Sequence, residues 1–392
     1  MDAELDKLLK TQLDSLAQAE RLRVLRPWRE HDGRLSTADG RALIDVASND
    51  YLGLSRHPAV KARAAEWAER YGAGASASRL ITGTRDITLA VEEKLAAFKR
   101  CEAALLFSSG FQANATVIPA LAQAGREECL IFCDKLNHAS IVHGCWASKL
   151  RPLIFRHNDL DHLADLLRRY AGRARRKLIL TESVFSMDGD RADLPALVEL
   201  AERYGATLYV DEAHATGVLG PQGRGLAAGL GVDVVMGTLG KALGSFGAYI
   251  AGSRVLIDYL VNRCSGFIYS TALPPPVLGA IDAALDWVPG MDAERARLAA
   301  NAERLRTALQ ARGCDTLNST TQIVPAVIGS EAATLAAARR LEDAGILTVA
   351  IRPPTVPQGS SRLRWSLSSN LDEGDMQQVL AGVAGLAMVE GG

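Results

Sequence analysis

The sequence predicts an α/β protein with a large, mostly parallel, doubly wound sheet. Short apolar runs recur along the first 250 residues, and longer amphipathic stretches such as 160–170 and 194–204 separate them. Apolar runs separated by helices are typical of parallel strands that are covered on both faces. Polar or small residues directly follow several runs, and ligands bind at the carboxyl ends of the strands in such sheets. The candidate strands are 103–107, 130–133, 153–156, 178–181, 208–210, 234–236 and 248–251.

The length of 392 residues is enough for two domains and a terminal arm. We predict an N-terminal helical arm over 1–45, because leucines recur at helical spacing through the first 30 residues as far as Pro27. A large domain is predicted over 46–280. A smaller C-terminal α/β domain is predicted over 281–392, because the pattern changes after the three prolines at 274–276.

Charge and cysteine usage exclude several classes of protein. The 44 basic and 45 acidic side chains give a net charge of −1, and no apolar run has a length that would span a membrane. We therefore expect neither nucleic acid nor a membrane as a partner. The six cysteines show no CxxC spacing, which favours reduced thiols in a cytoplasmic protein. No metal site is expected, because the seven histidines do not cluster with these thiols at ligand spacing.

Lys241 and Asp211 form the most informative pair of residues. Lys241 lies in a turn of small residues after the strand 234–236, and Asp211 ends the strand 208–210. Pyridoxal 5′-phosphate (PLP) needs such a pair, since a lysine amine forms a Schiff base with its aldehyde. A carboxylate keeps the pyridine nitrogen protonated, so that the ring can accept electrons. The pair predicts a PLP enzyme.

Two nucleotide-binding interpretations compete with this one and fail. The lysine turn would be a phosphate loop only if residue 235 were glycine, and it is Val235. The segment Asp211-Glu212-Ala213-His214 also spells a helicase box, but the chain contains no Walker-type loop upstream. The plainest alternative for Asp211 is a carboxylate that caps the next helix.

Further candidates follow other predicted strands, and each has an ordinary structural alternative. Gly110 and Phe111 open a helix whose N–H groups could bind phosphate, or Ser109 could simply cap that helix. His138 could stack on the pyridine ring, although a histidine at a strand end is more often structural. Ser186 is indistinguishable from a turn serine by itself. His214 could hydrogen-bond the phenolic oxygen of the cofactor.

Several motifs in order resemble one family, the α-oxoamine synthases, from residue 48 to the end of the chain. These enzymes are fold-type I PLP-dependent transferases, similar in fold to aspartate aminotransferase. The matching motifs are Ser48-Asn49-Asp50-Tyr51-Leu52-Gly53-Leu54, Asn137-His138-Ala139-Ser140, Phe185-Ser186-Met187-Asp188-Gly189, Asp211-Glu212-Ala213-His214-Ala215-Thr216-Gly217 and Thr238-Leu239-Gly240-Lys241.

The resemblance implies a role for each site residue. Lys241 would bind the cofactor covalently, Asp211 would hold the pyridine nitrogen, and His138 would stack on the ring. The residues implied to touch the ring oxygen are His214 and Ser186, and those implied to hold the phosphate are Gly110, Phe111, Thr238 and, from a partner subunit, Thr271. The residues implied to bind substrate are Arg352, Asn49 and Thr355, with Arg23 near the acyl-chain entrance; Arg21 and Arg26 lie close enough in sequence to Arg23 to compete for that role.

The segment Ala350-Ile351-Arg352-Pro353-Pro354-Thr355-Val356-Pro357 looks most like the biotin-pathway branch of the family. That branch implies condensation of L-alanine with a pimeloyl thioester by a homodimer with shared active sites. Coenzyme A and acyl carrier protein both stay open as the acyl donor. The alternatives are a sibling synthase, a PLP aminotransferase and a catalytically silent binding module, the last of which usually lacks the lysine. A basic cluster over 168–177 could bind an acidic partner, but a solvated helix end is the simpler interpretation.

Overall fold

The computed structural model describes residues 3–31, 34–125 and 128–386. The chain forms two compact units. The larger unit comprises 50–186 and 190–297, and the smaller unit comprises 1–49, 187–189 and 298–392. The domain boundaries predicted from the sequence, after residues 45 and 280, stay a prediction.

The strands are β1 Arg29–His31, β2 Arg34–Ser36, β3 Ala42–Asp45, β4 Ala103–Phe107, β5 Cys129–Asp134, β6 Leu153–Phe155, β7 Arg176–Glu182, β8 Thr207–Asp211, β9 Val234–Thr238, β10 Ala248–Gly252, β11 Ile323–Gly329, β12 Ile346–Leu347, β13 Val349–Ile351 and β14 Ser361–Ser366. The helices are α1 Ala3–Gln18, α2 Pro58–Tyr71, α3 Asp86–Lys99, α4 Gly110–Ala122, α5 Ala139–Ala147, α6 Leu160–Arg169, α7 Leu194–Tyr204, α8 Arg254–Arg263, α9 Ser265–Ile268, α10 Pro275–Trp287, α11 Asp292–Ala311, α12 Glu331–Asp343 and α13 Glu373–Ala384.

A seven-stranded sheet forms the centre of the larger unit, in the order β4-β10-β9-β8-β7-β5-β6. All seven predicted apolar runs lie in this sheet. The pairs β9–β8, β8–β7, β7–β5 and β5–β6 are parallel, whereas β10 is antiparallel to both of its neighbours. Because β4 and β9 both oppose β10, six of the seven strands run in one direction and end at the same edge. The predicted mostly parallel α/β fold is confirmed.

Successive side chains of a strand point to opposite faces of the sheet. In this sheet the side chains on both faces are apolar, and helices cover them. On one face, Leu105, Ile131 and Tyr209 pack with residues of α4, α5 and α8 in a single buried cluster. The alternate side chains, such as Phe132 and Val210, are also completely buried. Burial on both faces is what near-continuous apolar strands predict, and it leaves the strand ends as the places where polar groups can reach a ligand.

The smaller unit contains two sheets, one of the order β1-β2-β3-β12 and one of the order β11-β14-β13. The helix predicted over the first 30 residues is too long, because α1 ends at Gln18. Glu20 follows with a φ of 56°, a left-handed conformation that a helix does not contain. Between Glu20 and β1 the chain has no regular secondary structure, and its arginines contact other parts of the smaller unit.

No helix within the described residues is long and apolar enough to cross a membrane. All six cysteines are free thiols.

Candidate active site

The predicted site residues of the larger unit lie at the carboxyl edge of the seven-stranded sheet. Asp211 is the last residue of β8, and Thr238 is the last residue of β9. Lys241 follows β9 by three residues, His138 follows β5 by four, and Ser186 follows β7 by four. Because these strands are parallel neighbours, the sheet brings residues together that are distant in sequence.

A tight turn after β9 presents Lys241. The N–H of Gly244 donates to the carbonyl of Lys241 over 2.9 Å, which closes the turn. Gly244 has a φ of 63°, and a Cβ there would lie 2.2 Å from the backbone nitrogen of Ser55. Any other residue at 244 would therefore collide with the backbone, so the glycine at this position is a steric requirement of the turn.

Lys241 lies at the end of a chain of hydrogen-bonding groups. Its Nζ is 2.8 Å from Nε2 of His214, and Nδ1 of His214 is 2.6 Å from the hydroxyl of Tyr51. Both His214 and Tyr51 are buried. A tyrosine hydroxyl can donate or accept. An ammonium on Lys241 would donate to His214, which would then donate to Tyr51. An amine on Lys241 would accept from His214, which would then accept from Tyr51. Sequence reasoning did not single out Tyr51.

Asp211 is a buried carboxylate with only 4% of its surface exposed. Its Oδ2 accepts a hydrogen bond of 2.8 Å from Nδ2 of Asn114, and its Oδ1 accepts one of 2.8 Å from the N–H of Ala213. Burial raises the pKa of Asp211, while the charge of Lys241 and these hydrogen bonds oppose that rise. A carboxylate in this position is stabilised by a cation close to it.

His138 is a neutral ring held in one tautomer. Its pKa is lowered by burial and by the charge of Lys241, against the charge of Asp211. The backbone N–H of Ser140 donates to Nδ1 of His138 over 3.2 Å. Nδ1 therefore carries no proton, and the neutral ring carries its proton on Nε2.

Glu182 is a further buried carboxyl group that sequence reasoning missed, because it ends an apolar run without a motif. It lies beside Asp211 in the β7–β8 register and accepts a 2.6 Å hydrogen bond from the N–H of His138. Burial and the neighbouring charge of Asp211 raise its pKa well above the ordinary value. The geometry therefore fixes His138 through both its backbone and its ring.

The start of α4 lies against the end of β9. Ser109 caps the helix, since its side chain accepts a 3.1 Å hydrogen bond from the N–H of Gln112. A Cβ at Gly110 would lie 2.7 Å from Cγ2 of Thr238, so a larger residue at 110 would displace the threonine. Phe111 is exposed and its ring centroid lies 5.2 Å from that of His143. The backbone N–H groups at the helix start are donors that a phosphate group can accept, whereas the hydroxyl of Thr238 donates to the carbonyl of Ala213 over 3.4 Å.

Thr271 also lies in the larger unit, where it forms an antiparallel bridge with Ser78 and lines a cavity together with Ser108 and Gln112 at the start of α4. Its side chain is exposed. Its role towards a partner subunit stays a prediction.

A histidine between two aspartates links the loops that carry His138 and Ser186. His157 Nδ1 lies 2.9 Å from Oδ1 of Asp134, and its Nε2 lies 2.8 Å from Oδ2 of Asp190. Asp134 precedes His138 by four residues, and Asp190 follows Ser186 by four. A protonated imidazole donates from both nitrogens, so His157 holds the two loops through charged hydrogen bonds. No motif in the sequence indicated it.

In the smaller unit, the arginines of the N-terminal arm differ in their partners. Arg21 pairs with Glu331 at 2.8 Å, and Arg26 pairs with Glu342 at 2.8 Å. Arg23 instead donates to the hydroxyl of Thr355 over 3.2 Å. The structure therefore brings together two of the predicted substrate residues, and it gives Arg21 and Arg26 structural partners.

The other predicted substrate residues of the smaller unit also have protein contacts. Arg352 is half-buried and donates to the carbonyl of Glu20. Asn49 Oδ1 accepts a hydrogen bond of 3.2 Å from the buried Arg364. Their binding of an amino-acid carboxylate stays a prediction.

Two members of the basic cluster over 168–177 have structural roles. Arg176 donates to the carbonyls of Leu121 and Ala122 at the end of α4, and Lys177 donates to the carbonyl of Tyr204 at the end of α7 over 3.1 Å. Cations commonly satisfy the last carbonyls of helices in this way. Both residues lie on β7, where Lys177 is buried and Arg176 is half-buried, so for these two residues the structure differs from the predicted solvated helix end.

The donor set of the larger unit fits PLP. A lysine amine, a buried carboxylate that requires a cation, and a flat neutral imidazole lie at one sheet edge. The narrow space at Gly110 and the start of α4 suit a phosphate beside them. When bound, PLP would take its covalent link from Lys241, the charge of Asp211 and the ring face of His138.

Comparisons with known proteins identify the family of this chain. Residues 41–383 match the family model described as aminotransferase class I and II. The 8-amino-7-oxononanoate synthase of Gluconacetobacter diazotrophicus is 55% identical over 392 residues and aligns over 98% of each chain. Serine palmitoyltransferase from S. paucimobilis, a structure with PLP and myriocin bound, has a TM-score of 0.88 at 28% identity, with 96% of this chain and 95% of that chain covered. The 8-amino-7-oxononanoate synthase of Francisella tularensis has a TM-score of 0.74 at 29% identity, with 87% and 97% covered.

The fold and the lysine–aspartate pair define a PLP-dependent transferase. The chain belongs to the aminotransferase class I and II family and, within it, to the α-oxoamine synthases. It is a PLP-dependent acyltransferase.

Proposed function

We propose that this enzyme condenses L-alanine with a pimeloyl thioester to give 8-amino-7-oxononanoate, CO2 and a free thiol, a step of biotin biosynthesis. The thioester would come from coenzyme A or from acyl carrier protein. The observation that carries the proposal is the set of Lys241, Asp211, His138 and His214 at one sheet edge, in a chain 55% identical to a protein of that name. The six free thiols support a cytoplasmic location.

The chemistry divides between the cofactor and the protein. PLP supplies an electron sink for the amino acid that is joined to it. Asp211 contributes a buried negative charge, which favours a protonated pyridine nitrogen. His138 contributes a flat ring surface, and its Nδ1 is occupied by Ser140, so the ring has a fixed orientation.

Lys241 has two tasks in the proposed reaction. Its Nζ would hold the cofactor before substrate binds, and once substrate has displaced it the same Nζ would take the proton from Cα of L-alanine. A general base needs its lone pair free near neutral pH. The contact of 2.8 Å between Nζ and Nε2 of His214 gives the lysine a neighbour that can exchange a proton with it.

Arg352 would fix the direction in which L-alanine presents its Cα–H bond. A guanidinium can bind a carboxylate through two parallel hydrogen bonds, which holds one orientation. Pro353 and Pro354 restrict the backbone directly after Arg352. After condensation, the original alanine carboxylate would leave as CO2 and a proton would replace it at Cα, and Lys241 would again be the residue that holds the cofactor.

The active unit would be a homodimer in which Thr271 contacts the phosphate bound by the partner subunit. The exposed position of Thr271 supports this assignment. Mixing inactive Lys241→Ala and Thr271→Ala chains should restore part of the activity, because one site of each mixed dimer would keep both residues. A fully active monomer in analytical sedimentation would contradict the assignment.

The test of the reaction is product identification. Purified protein is mixed with L-alanine or glycine and with pimeloyl, acetyl or succinyl coenzyme A, and the products are identified by mass. L-alanine with the pimeloyl thioester should give 8-amino-7-oxononanoate with the highest kcat/KM. A higher kcat/KM for glycine with a short acyl thioester would indicate a sibling synthase, and conversion of the cofactor to its amine form would indicate an aminotransferase.

A further inference from the structure

Asn114 contacts both the carboxylate and the imidazole of the site. It lies on α4, one turn after Gly110, and is completely buried. Its Nδ2 donates to Asp211 Oδ2 over 2.8 Å and to the hydroxyl of Ser140 over 2.9 Å. Its Oδ1 accepts a hydrogen bond of 2.6 Å from the hydroxyl of Tyr209.

Each hydrogen bond around Asn114 has only one possible direction. An ionised carboxylate can only accept, so the amide nitrogen, and not the oxygen, faces Asp211. The amide oxygen then faces Tyr209, whose hydroxyl must donate to it. Ser140 accepts from Asn114, so its own proton is free to reach Nδ1 of His138, at 2.7 Å. One ordered set of donors therefore runs from Tyr209 to Asp211 and to His138.

The packing of α4 against α5 fixes this arrangement. Ser140 lies in the first turn of α5, and Gly144 lies one turn later. A Cβ at Gly144 would be 2.5 Å from the carbonyl oxygen of Asn114. The absence of a side chain at 144 thus lets the two helices approach closely enough for Asn114 to reach Ser140.

We propose that Asn114 is a positioning residue that keeps Asp211 ionised and oriented for the cofactor and, through Ser140, keeps His138 in its Nε2-protonated tautomer. This inference rests on the proposed role of Asp211. A buried carboxylate that loses a donor becomes harder to ionise.

The titratable groups that face Asp211 are Lys241 after β9, His138 after β5, Glu182 on β7 and Tyr209 on β8. Unlike these titratable groups, Asn114 donates a hydrogen bond to Asp211 and cannot itself become charged.

Binding of PLP to the apoprotein tests the proposal without measuring turnover. Asn114→Leu keeps the approximate size of the side chain but removes both donors. Hydrogen bonds to charged groups are typically worth enough to change a binding constant by about 10-fold or more. We therefore expect the Kd for PLP at pH 7 to rise about 10-fold. Because the carboxylate of Asp211 should protonate at a higher pH in this variant, the loss should grow towards pH 5.5 and shrink towards pH 8.

Controls separate this effect from general damage. Asn301→Leu changes another buried asparagine, on α11, and should leave the pH profile of PLP binding unchanged. If Asn114→Leu does not fold, Tyr209→Phe provides the same test, because it removes the donor that orients the amide of Asn114. It should shift the profile in the same direction by a smaller amount, about threefold at pH 7. Tyr259→Phe, which loses a hydroxyl bonded to the carbonyl of Ala120, should not shift it.

Asp211→Asn separates the proposed role of Asp211 from that of Asn114. If Asp211→Asn weakens PLP binding and removes its pH dependence, while Asn114→Leu and Tyr209→Phe keep the wild-type profile, the role of Asn114 is wrong and that of Asp211 stands. If Asp211→Asn itself keeps wild-type affinity and profile, the role of Asp211 is wrong, and the inference about Asn114 fails with it.

Discussion

His157 gives a prediction about stability that depends on pH. The ring lies between Asp134 and Asp190, two buried carboxylates, and has 20% of its side chain exposed. Burial lowers the pKa of the imidazole, but the hydrogen bonds and charges of the two aspartates outweigh it and raise the pKa to about 10. The substitution His157→Gln should therefore leave Asp134 and Asp190 without the cation that lies between them.

The size of the effect follows from the pKa. A rise from the ordinary value of 6.5 to about 10 corresponds to an upper limit of roughly 5 kcal/mol, at about 1.36 kcal/mol for each pKa unit. Partial exposure of the ring to solvent screens the interaction, so we expect a loss of about 3 kcal/mol at neutral pH. Because the folded pKa is raised, the stabilisation is complete below pH 6.5 and is lost as the pH rises through 10.

Urea unfolding of the wild type and of His157→Gln between pH 6 and pH 10.5 measures this difference. The free energy of unfolding should differ by about 3 kcal/mol at pH 7 and by less than about 1 kcal/mol at pH 10.5. His162→Gln, at a histidine that accepts a hydrogen bond from the backbone of Arg156, is the matched control and should show no such convergence. A difference between wild type and His157→Gln that is constant from pH 7 to pH 10.5 would refute the charged-histidine argument.

Three further predictions concern the site. Lys241→Ala should abolish covalent attachment of the cofactor and essentially all turnover. Borohydride reduction with peptide mapping measures the covalent attachment, and normal turnover in the variant would contradict the role of the lysine. Tyr51→Phe removes the hydroxyl 2.6 Å from His214 and should lower kcat on the order of 10-fold while the Kd for PLP changes little; an unchanged kcat would exclude a role for Tyr51 in proton exchange. Arg352→Ala should raise the KM for L-alanine at least about 10-fold with PLP binding intact. Arg352→Lys should restore only part of this loss, because an ammonium cannot reproduce the planar pair of donors, and an equal loss of PLP affinity in either variant would contradict the assignment.

The sequence predicted the seven strands of the large sheet and the candidate residues for a PLP site. The seven apolar runs all became strands of one sheet, because fully buried parallel strands are apolar on both faces and leave an unmistakable pattern. Lys241 and Asp211 could be selected because a turn of small residues and a carboxylate after a buried strand are both unusual. The helix of the N-terminal arm was predicted too long, since Arg21 and Arg26 form ion pairs with Glu331 and Glu342, over 300 residues away, which no local pattern indicates.

Only the tertiary structure decided which polar groups support the predicted ones. Asn114, Tyr51 and Glu182 contact site residues 44 to 163 positions away in sequence, and His157 contacts two aspartates 23 and 33 positions away. A buried hydrogen bond depends on the distance and direction between two side chains, and the spacing of residues along one strand or helix contains neither. The sequence therefore contained the groups for PLP chemistry, while the folded sheet and its helices determined their ionisation, tautomers and orientation.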